Sequence, residues 1–314
     1  MPDSRHLPIP LQDLTVKAVQ DDTVFKLASA LAPVKRVGKV TDQFYVYNVD
    51  QQFAIENDVR ANNISPAKEI SLTDVTATTY NLKRHSMKIA VGDADMKNSD
   101  PAINPAIDAV QELGTKMQLI KELEVAKTFL TSTSFSVNLA TLSSNAWDLD
   151  TTTSTPIDDG QTAQEAILKN TGRLMNGLVI GRPTLNVLKD HSDILDRVKW
   201  SERGLITTDI LASVFDIERV VVSDSIGRTT DEGISATVDF NVTQKALFFY
   251  NTPTPGLKTM NCGVTFSGLF GDAKPKLKRW FDKDRDAHMF EMDWMYDTMI
   301  TQSLSGYLFN AVHS

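Results

Sequence analysis

Around Asn104 to Leu130, apolar residues recur at Ile103, Ile107, Val110, Leu113, Met117, Ile120 and Leu123. Gaps of three and four place them on one stripe of a helix of period 3.6. Asn104 is suited to accept from the free N–H groups of the first turn, and Pro105 sits where its missing donor costs nothing. Asp108 and Glu112 lie toward the positive end of the helix dipole, Lys121 and Lys127 toward the negative end. The opposite face carries Gln111, Lys116, Glu122 and Glu124 and is expected to stay wet. At about 1.5 Å per residue, such a helix spans on the order of 40 Å.

The rest of the chain alternates between poorly patterned and well patterned stretches. Residues 1–38 are interrupted by Pro2, Pro8, Pro10 and Pro33. Within them DTVFKLASAL (22–31) predicts a short helix with Val24, Leu27, Ala28 and Leu31 on one face. The remainder reads as an arm without a core of its own. VTDQFYVYNVD, from Val40, alternates Phe44, Val46 and Asn48 against Tyr45, Tyr47 and Val49. ISLTDVTATTYNLKRHSMKIAV, from Ile70, is rich in Thr, Val and Tyr. A polar stretch with Pro66 separates the two, and together they predict a long two-stranded excursion. A free ribbon of two strands is marginal in water, so this one is expected to lie on another surface. Residues 131–156 are dominated by Ser and Thr, with one strand and a turn near Trp147.

From Gly160 the rhythm changes. Helices are predicted over GQTAQEAILKNTGRLM, RPTLNVLKDHSDILDRVKW and TTDILASVFDI, the last opened by Thr207 or Thr208. Short apolar strands are predicted at LVIG (178–181), RVVVSD (219–224) and KALFFYN (245–251). Helices alternating with apolar strands indicate a compact α/β lobe over 160–265. Two extended runs around the turn FDKDRDAH and a closing strand in SLSGYLFNAV are expected to complete the sheet under the long helix.

Composition narrows the functional classes. A net charge of −8, with KPKLKR as the densest basic run, argues against binding by general attraction to nucleic-acid phosphate. The single cysteine, Cys262, excludes an intramolecular disulfide framework and a Cys-rich zinc site. No apolar run approaches the ~18 residues of a membrane span, and the N-terminus lacks a signal-peptide core, so no membrane role is expected.

Candidate chemistry is sparse. The five histidines show no ligand spacing, and no metalloprotease, nucleophile-elbow, P-loop or dinucleotide motif is present. Asp93-x-Asp95 and Asp282-x-Asp284-x-Asp286 open like calcium loops, but Asn98 and Ala287 stand where glycine is required, and both read as solvated turns. Trp280, Phe281, Phe290, Trp294 and Tyr296 read as sheet packing rather than a base-stacking platform. No cofactor is called for. An α/β enzyme with a pocket in the 160–265 lobe would use Asp190, His191 and Asp193, whereas His191 also fits a helix-end cap. The arm, the ribbon and the wet-faced helix all offer surface that a monomer does not bury, as an assembling protein requires.

Two stretches carry a family resemblance. One is LVIGRPTLNVLKDHSDILDRVKW with ITTDILASVFDIERVVVSD (178–200 and 206–224). The other is RWFDKDRDAHMFEMDWMYDTMITQSLSGYLFNAV (279–312). In this order they resemble the major capsid proteins of tailed bacteriophages, the Hong Kong-phage fold also seen in encapsulins. The resemblance implies an α+β capsid fold with an N-terminal arm (1–38) that clasps an adjacent subunit. An E-loop (39–96) would lie across a neighbour. A P-domain (97–159) would be built on a spine helix at 104–130, with an A-domain (160–265) and return strands (266–314). It implies a self-assembling icosahedral shell of pentamers and hexamers around a phage genome, matured from a procapsid, with an encapsulin-type nanocompartment as an alternative. Tyr45, Tyr47, Arg60, Lys68, Glu69, Tyr80 and Arg84 are the inter-subunit contacts expected on the E-loop. The implied partners are other copies of the chain, a separate scaffolding protein, a portal, a possible decoration protein, and packaged DNA held without sequence-specific binding. The location implied is the virion capsid, after synthesis in the host cytoplasm. Some relatives join an E-loop Lys to a neighbour's Asn; Lys68 is the lysine near the middle of this loop, but no motif marks a partner.

Overall fold

The computed structural model describes residues 24–47, 53, 55, 73–99, 104–149, 154–199, 206–228, 238–256, 259–268 and 275–313. In chain order these form α1 (Leu27–Leu31), β1 (Val34–Val37), β2 (Thr41–Tyr47), β3 (Val75–Asn81), β4 (Lys83–Gly92), α2 (Asp93–Lys97), α3 (Pro105–Phe129) and β5 (Leu139–Thr141). There follow α4 (Pro156–Thr171), β6 (Gly177–Gly181), α5 (Arg182–Asp190), α6 (Ser192–Val198), α7 (Thr208–Val214), β7 (Arg219–Ser223), β8 (Ile226–Arg228) and β9 (Val238–Phe240). The chain closes with β10 (Lys245–Phe249), β11 (Gly263–Gly268), β12 (Lys276–Asp282), β13 (Ala287–Ile300) and β14 (Gly306–Asn310).

The long helix α3 starts where its sequence says it should. The Asn104 side-chain oxygen accepts from the N–H groups of Ala106 and Ile107 at 3.2 and 3.3 Å, and Pro105 occupies the first turn. Its buried row differs from the predicted stripe. Ala109, Leu113, Met117, Lys121, Val125 and Phe129 are buried, whereas Ile107 and Ile120 are exposed. The reason is that α3 is covered on two sides. Its N-terminal half lies on Phe290, Met292, Trp294 and Tyr296 of β13, and its C-terminal half meets α1 and the lobe. Glu122, expected on the wet face, is therefore 1% exposed.

The strand β13 is the axis of the first sheet. Along one edge it pairs antiparallel with β4, from Ala287↔Gly92 to Tyr296↔Lys83. Along the other it pairs with β12 and then β11, and β1 adds parallel to β11. At the β12–β13 turn, Asp286 adopts φ 46, a left-handed conformation that Asp tolerates, and Asp282 accepts from the Asp284 N–H. These acidic residues shape the hairpin turn.

The second sheet runs β5-β14-β10-β6-β7. Its strands alternate faces, as a sheet buried on both sides demands. Leu178, Ile180, Phe248 and Phe309 meet Ile167, Leu185, Leu188, Ile194 and Leu211 of the helices. Val179, Leu247, Phe249 and Leu308 face Phe129, Phe135 and α1. Here the predicted layout changes. The closing strand β14 belongs to this lobe sheet, not to the sheet under α3, and β5 joins the lobe from before it. In the lobe, Leu308 and Phe309 fill opposite faces of the sheet.

The arm prediction also changes. α1 docks on its own chain. Glu122 accepts from the Ala28 N–H at its start, at 3.2 Å. Asn251 donates to the Ala30 and Leu31 carbonyls at its end, at 3.0 and 2.8 Å. Both ends of a one-turn helix are thus satisfied by groups distant in sequence. With Leu27 and Leu31 fully buried, α1 is part of this chain's core, while β1 extends the first sheet as a largely exposed edge strand.

Candidate inter-subunit surface

The two-stranded ribbon is built from β2 and β3, in the register Thr41↔Asn81 to Tyr47↔Val75. Its period of two splits it into unlike faces. On the inner face, the Phe44 ring lies 5.2 Å from that of Phe266, and the Tyr80 ring stacks on Phe266 at 4.6 Å and 14°. Leu82 and Val264 complete this small core. The Leu82 N–H donates to the Val40 carbonyl at 2.8 Å, and the Asn81 N–H donates to Asp297 at 2.9 Å. The ribbon's root is therefore fixed to the first sheet. Its outer face carries Thr41, Gln43, Tyr45 and Tyr47 beside Val75, Ala77, Thr79 and Asn81, all exposed. Tyr45 is 66% exposed and lies opposite Ala77.

The ribbon ends sooner than its sequence suggests. The second extended run divides at Leu82, and β4 leaves to pair with β13 over ten residues, so the stretch 83–92 is part of the sheet. Phe53, beyond β2, lies over Gly172 at the end of α4: a Cβ added there would meet its ring at 2.7 Å. Gly172 is at φ 66, the left-handed conformation that closes α4 with its N–H on the Leu168 carbonyl.

The predicted contact residues separate into three groups. Tyr45 and Tyr47 stand on the outer face. Tyr80 is a correction: it is 4% exposed and packed on Phe266, and so serves its own core. Arg84 is engaged within the chain. Its Nε and Nη2 donate to Asp293 at 3.3 and 2.6 Å, and Nη2 also reaches Glu291 at 3.4 Å. Lys278 donates to the same two carboxylates from the other side. Burial alone would raise Asp293, but the hydrogen bonds from Arg84, Lys278 and Ser86 overcome it and hold the carboxyl well below its ordinary range. This cluster ties β4 and β12 across β13. Arg60, Lys68 and Glu69 lie outside the described residues.

Several apolar groups stand exposed that the sequence pattern did not place on the surface. Val75 shares the outer face of the ribbon, Ile107 and Ile120 line the open side of α3, and Leu277, Trp280 and Phe281 stand on β12 at the sheet edge. Of the aromatics read as sheet packing, Phe290, Trp294 and Tyr296 are buried, whereas Trp280 and Phe281 lie on β12 and are partly exposed. Alternation along VTATT was the signal available for Val75. For Ile107 and Ile120 there was none, because periodicity cannot distinguish the covered side of an apolar helix from the open one.

Of the enzyme candidates Asp190, His191 and Asp193, the histidine is held in a structural arrangement. His191 is 2% exposed; its Nδ1 accepts from the Asp193 N–H at 3.2 Å and starts α6, and its Nε2 lies 3.0 Å from the Ser154 hydroxyl. Both ring nitrogens are committed, as the cap reading expects. Among the described residues, no group of three or more His, Cys, Asp or Glu side chains could hold a metal ion.

No family model matches the chain. It is 24% identical over 208 residues to the major capsid protein of Burkholderia phage BcepMu, spanning 64% of each chain. Among solved structures it matches a phage-related protein from Bordetella bronchiseptica RB50 with a TM-score of 0.69 and 20% identity, over 95% of this chain and 99% of that one. It matches the capsid of cyanophage P-SCSP1u with a TM-score of 0.63 and 11% identity, over 96% and 91%. An encapsulin from Synechococcus elongatus PCC 7942 matches with a TM-score of 0.56 and 11% identity, over 98% and 96%. The chain has the α+β capsid fold shared by tailed-phage shells and encapsulins.

Proposed function

We propose that this protein is the coat subunit of a closed icosahedral shell that encloses a phage genome. The observation that carries this reading is the two-faced ribbon on a capsid fold, its root locked by Phe44, Tyr80 and Phe266 and its outer face presenting Tyr45 to a neighbour. Contact between unlike surfaces of successive copies closes rings of five or six. Each contact can be modest, because later contacts in a forming shell are made at high effective concentration. The phage capsid relative supports a genome as the cargo, and the fold itself is also that of encapsulins. In this reading a separate scaffold and a portal direct assembly, a decoration protein binds outside, DNA is held without sequence readout, and synthesis takes place in the host cytoplasm. The chain's own role is structural, and its bonds at His191 serve a helix start.

Light scattering and negative-stain microscopy of the purified protein test this. Particles far heavier than the 34.8 kDa chain are expected. Monomers at every concentration, with or without scaffold, would refute it. Particles from infected cells should contain nuclease-protected DNA; a protein cargo instead would select the encapsulin reading.

A further inference from the structure

The first sheet ends at β12, and among the described residues this strand pairs only with β13. An open strand edge is a row of unused donors and acceptors, a template for another strand. Lysines commonly blunt such an edge, and Lys276 and Lys278 fit that role. The apolar groups between and beyond them do not, because Leu277, Trp280 and Phe281 stand exposed on the same strand. The charges of KLKRWFD are also ordered, with cations in its first half and Asp282 at its end. Laid antiparallel against a copy of itself about Arg279, the strand is self-complementary. Lys276 then faces Asp282, Leu277 faces Phe281, and the Lys278 stem faces the Trp280 ring, each pair occurring twice. Opposite charges and apolar pairs directly across two strands are favourable.

We propose that β12 is a self-pairing edge: two copies of this chain join antiparallel across Arg279 and merge their first sheets about a two-fold axis. The charges on the strand are placed for this. Lys276 has no carboxylate partner among the described residues. Asp282 takes the Asp284 N–H, and the nearest cation in its own chain is Arg285 at 3.9 Å. Arg279 meets its own mate at the axis, but each guanidinium leans over the Phe290 ring of its own chain, 5.4 Å from the ring centre. Phe290 lies opposite Arg279 on β13, so this lean is away from the neighbour. The fold also restricts the register. Both copies must keep α3 on one side of the merged sheet, a requirement that rests on the shell reading. The two-fold then stands perpendicular to the sheet, and residues of the same face meet across it. Pairing centred on Arg279 engages the whole of 276–282. Moving the centre by one residue leaves only 276–280 or 278–282 in contact.

Oxidative crosslinking of the full chain tests this, because Cys262, its single cysteine, is buried. Directly opposed residues of antiparallel strands lie about 5 Å apart, within reach of a disulfide. Arg279→Cys should therefore give a disulfide-linked dimer under mild oxidation. Lys276→Cys alone should not, since its two copies would lie about 20 Å apart, but mixed with Asp282→Cys it should give the linked heterodimer. An R279C dimer no more abundant than that of K276C, or no heterodimer in the mixture, would overturn the proposal. Lys276→Glu added to R279C faces Asp282 twice and should cut the dimer yield several-fold at low salt, whereas Lys276→Arg should not. Equal yields from the two would also overturn it. Light scattering on the same samples separates this contact from the shell reading. Particles without the R279C disulfide would overturn the pairing and leave the shell. Linked dimers that never grow beyond two copies would keep the pairing and remove the shell.

Discussion

Glu122 and Lys121 are consecutive on α3, and both are buried. The Lys121 ammonium lies 4.5 Å from the Trp294 ring centre, and burial brings its pKa down to about 8. Burial pushes Glu122 up to about 7, although the Ala28 N–H and the Lys121 charge partly oppose that rise. The sign of each effect follows from linkage. A carboxyl raised from its ordinary 4.5 contributes stability that is complete below pH 4.5 and is lost as pH rises toward 7. A lysine lowered from 10.5 acts in the other sense, and stability recovers as pH rises from 8 toward 10.5. We therefore expect Glu122→Gln to keep the Ala28 hydrogen bond and to abolish the decline between pH 4.5 and 7, a gain of about 3 kcal/mol at pH 7.5. Denaturant titrations of both proteins across that range would measure it; parallel curves would refute it. None of this was visible in the residue order. A glutamate on a helix face reads as solvated, and its burial is caused by α1, 94 residues away in sequence.

At the scale of elements, legibility followed the number of packed faces. The strand LVIG, the cap Thr207, which accepts from the Ile210 N–H, and the inward Leu185, Leu188 and Ile194 all emerged where local pattern predicts them. Their partners are close in sequence and the lobe core decides their faces. Elements whose partners are remote were misplaced. β14 pairs with β10 and β5, β4 pairs with β13 across more than 190 residues, and α1 is held by Glu122 and Asn251. No local pattern encodes such pairings. The arm gives the sharpest test. Removing residues 1–20 should leave the melting transition cooperative, because α1 and β1 remain. Leu27→Ala and Leu31→Ala should each cost about 2–5 kcal/mol, since both side chains are fully buried against Val125 and Phe129. A cost below 0.5 kcal/mol for either, measured by denaturant unfolding, would return the arm to a surface role.

At the scale of the whole molecule, two sheets share the helix α3, and the ribbon is rooted on the sheet built around β13. Rigidity at the root and exposure beyond it separate folding from assembly, and the tyrosines of the ribbon show how. Tyr80 faces inward and belongs to the fold; Tyr80→Ala should cost the isolated chain about 3 kcal/mol. Tyr45 faces outward, and Tyr45→Ser should change chain stability by no more than about 0.5 kcal/mol. In a shell the same Tyr45 contact recurs at every copy. If each is worth about 1.4 kcal/mol, its loss raises the concentration needed for assembly roughly tenfold per contact. The two substitutions should therefore give opposite signatures: Y80A with a lowered melting temperature, and Y45S with an unchanged one but no particles at concentrations where the unaltered chain forms them. Calorimetry paired with light scattering on the same samples distinguishes them. Normal particles from Y45S would remove the ribbon's outer face from the contact surface and leave Ile107, Ile120 and the β12 edge as the apolar groups with which neighbouring copies meet.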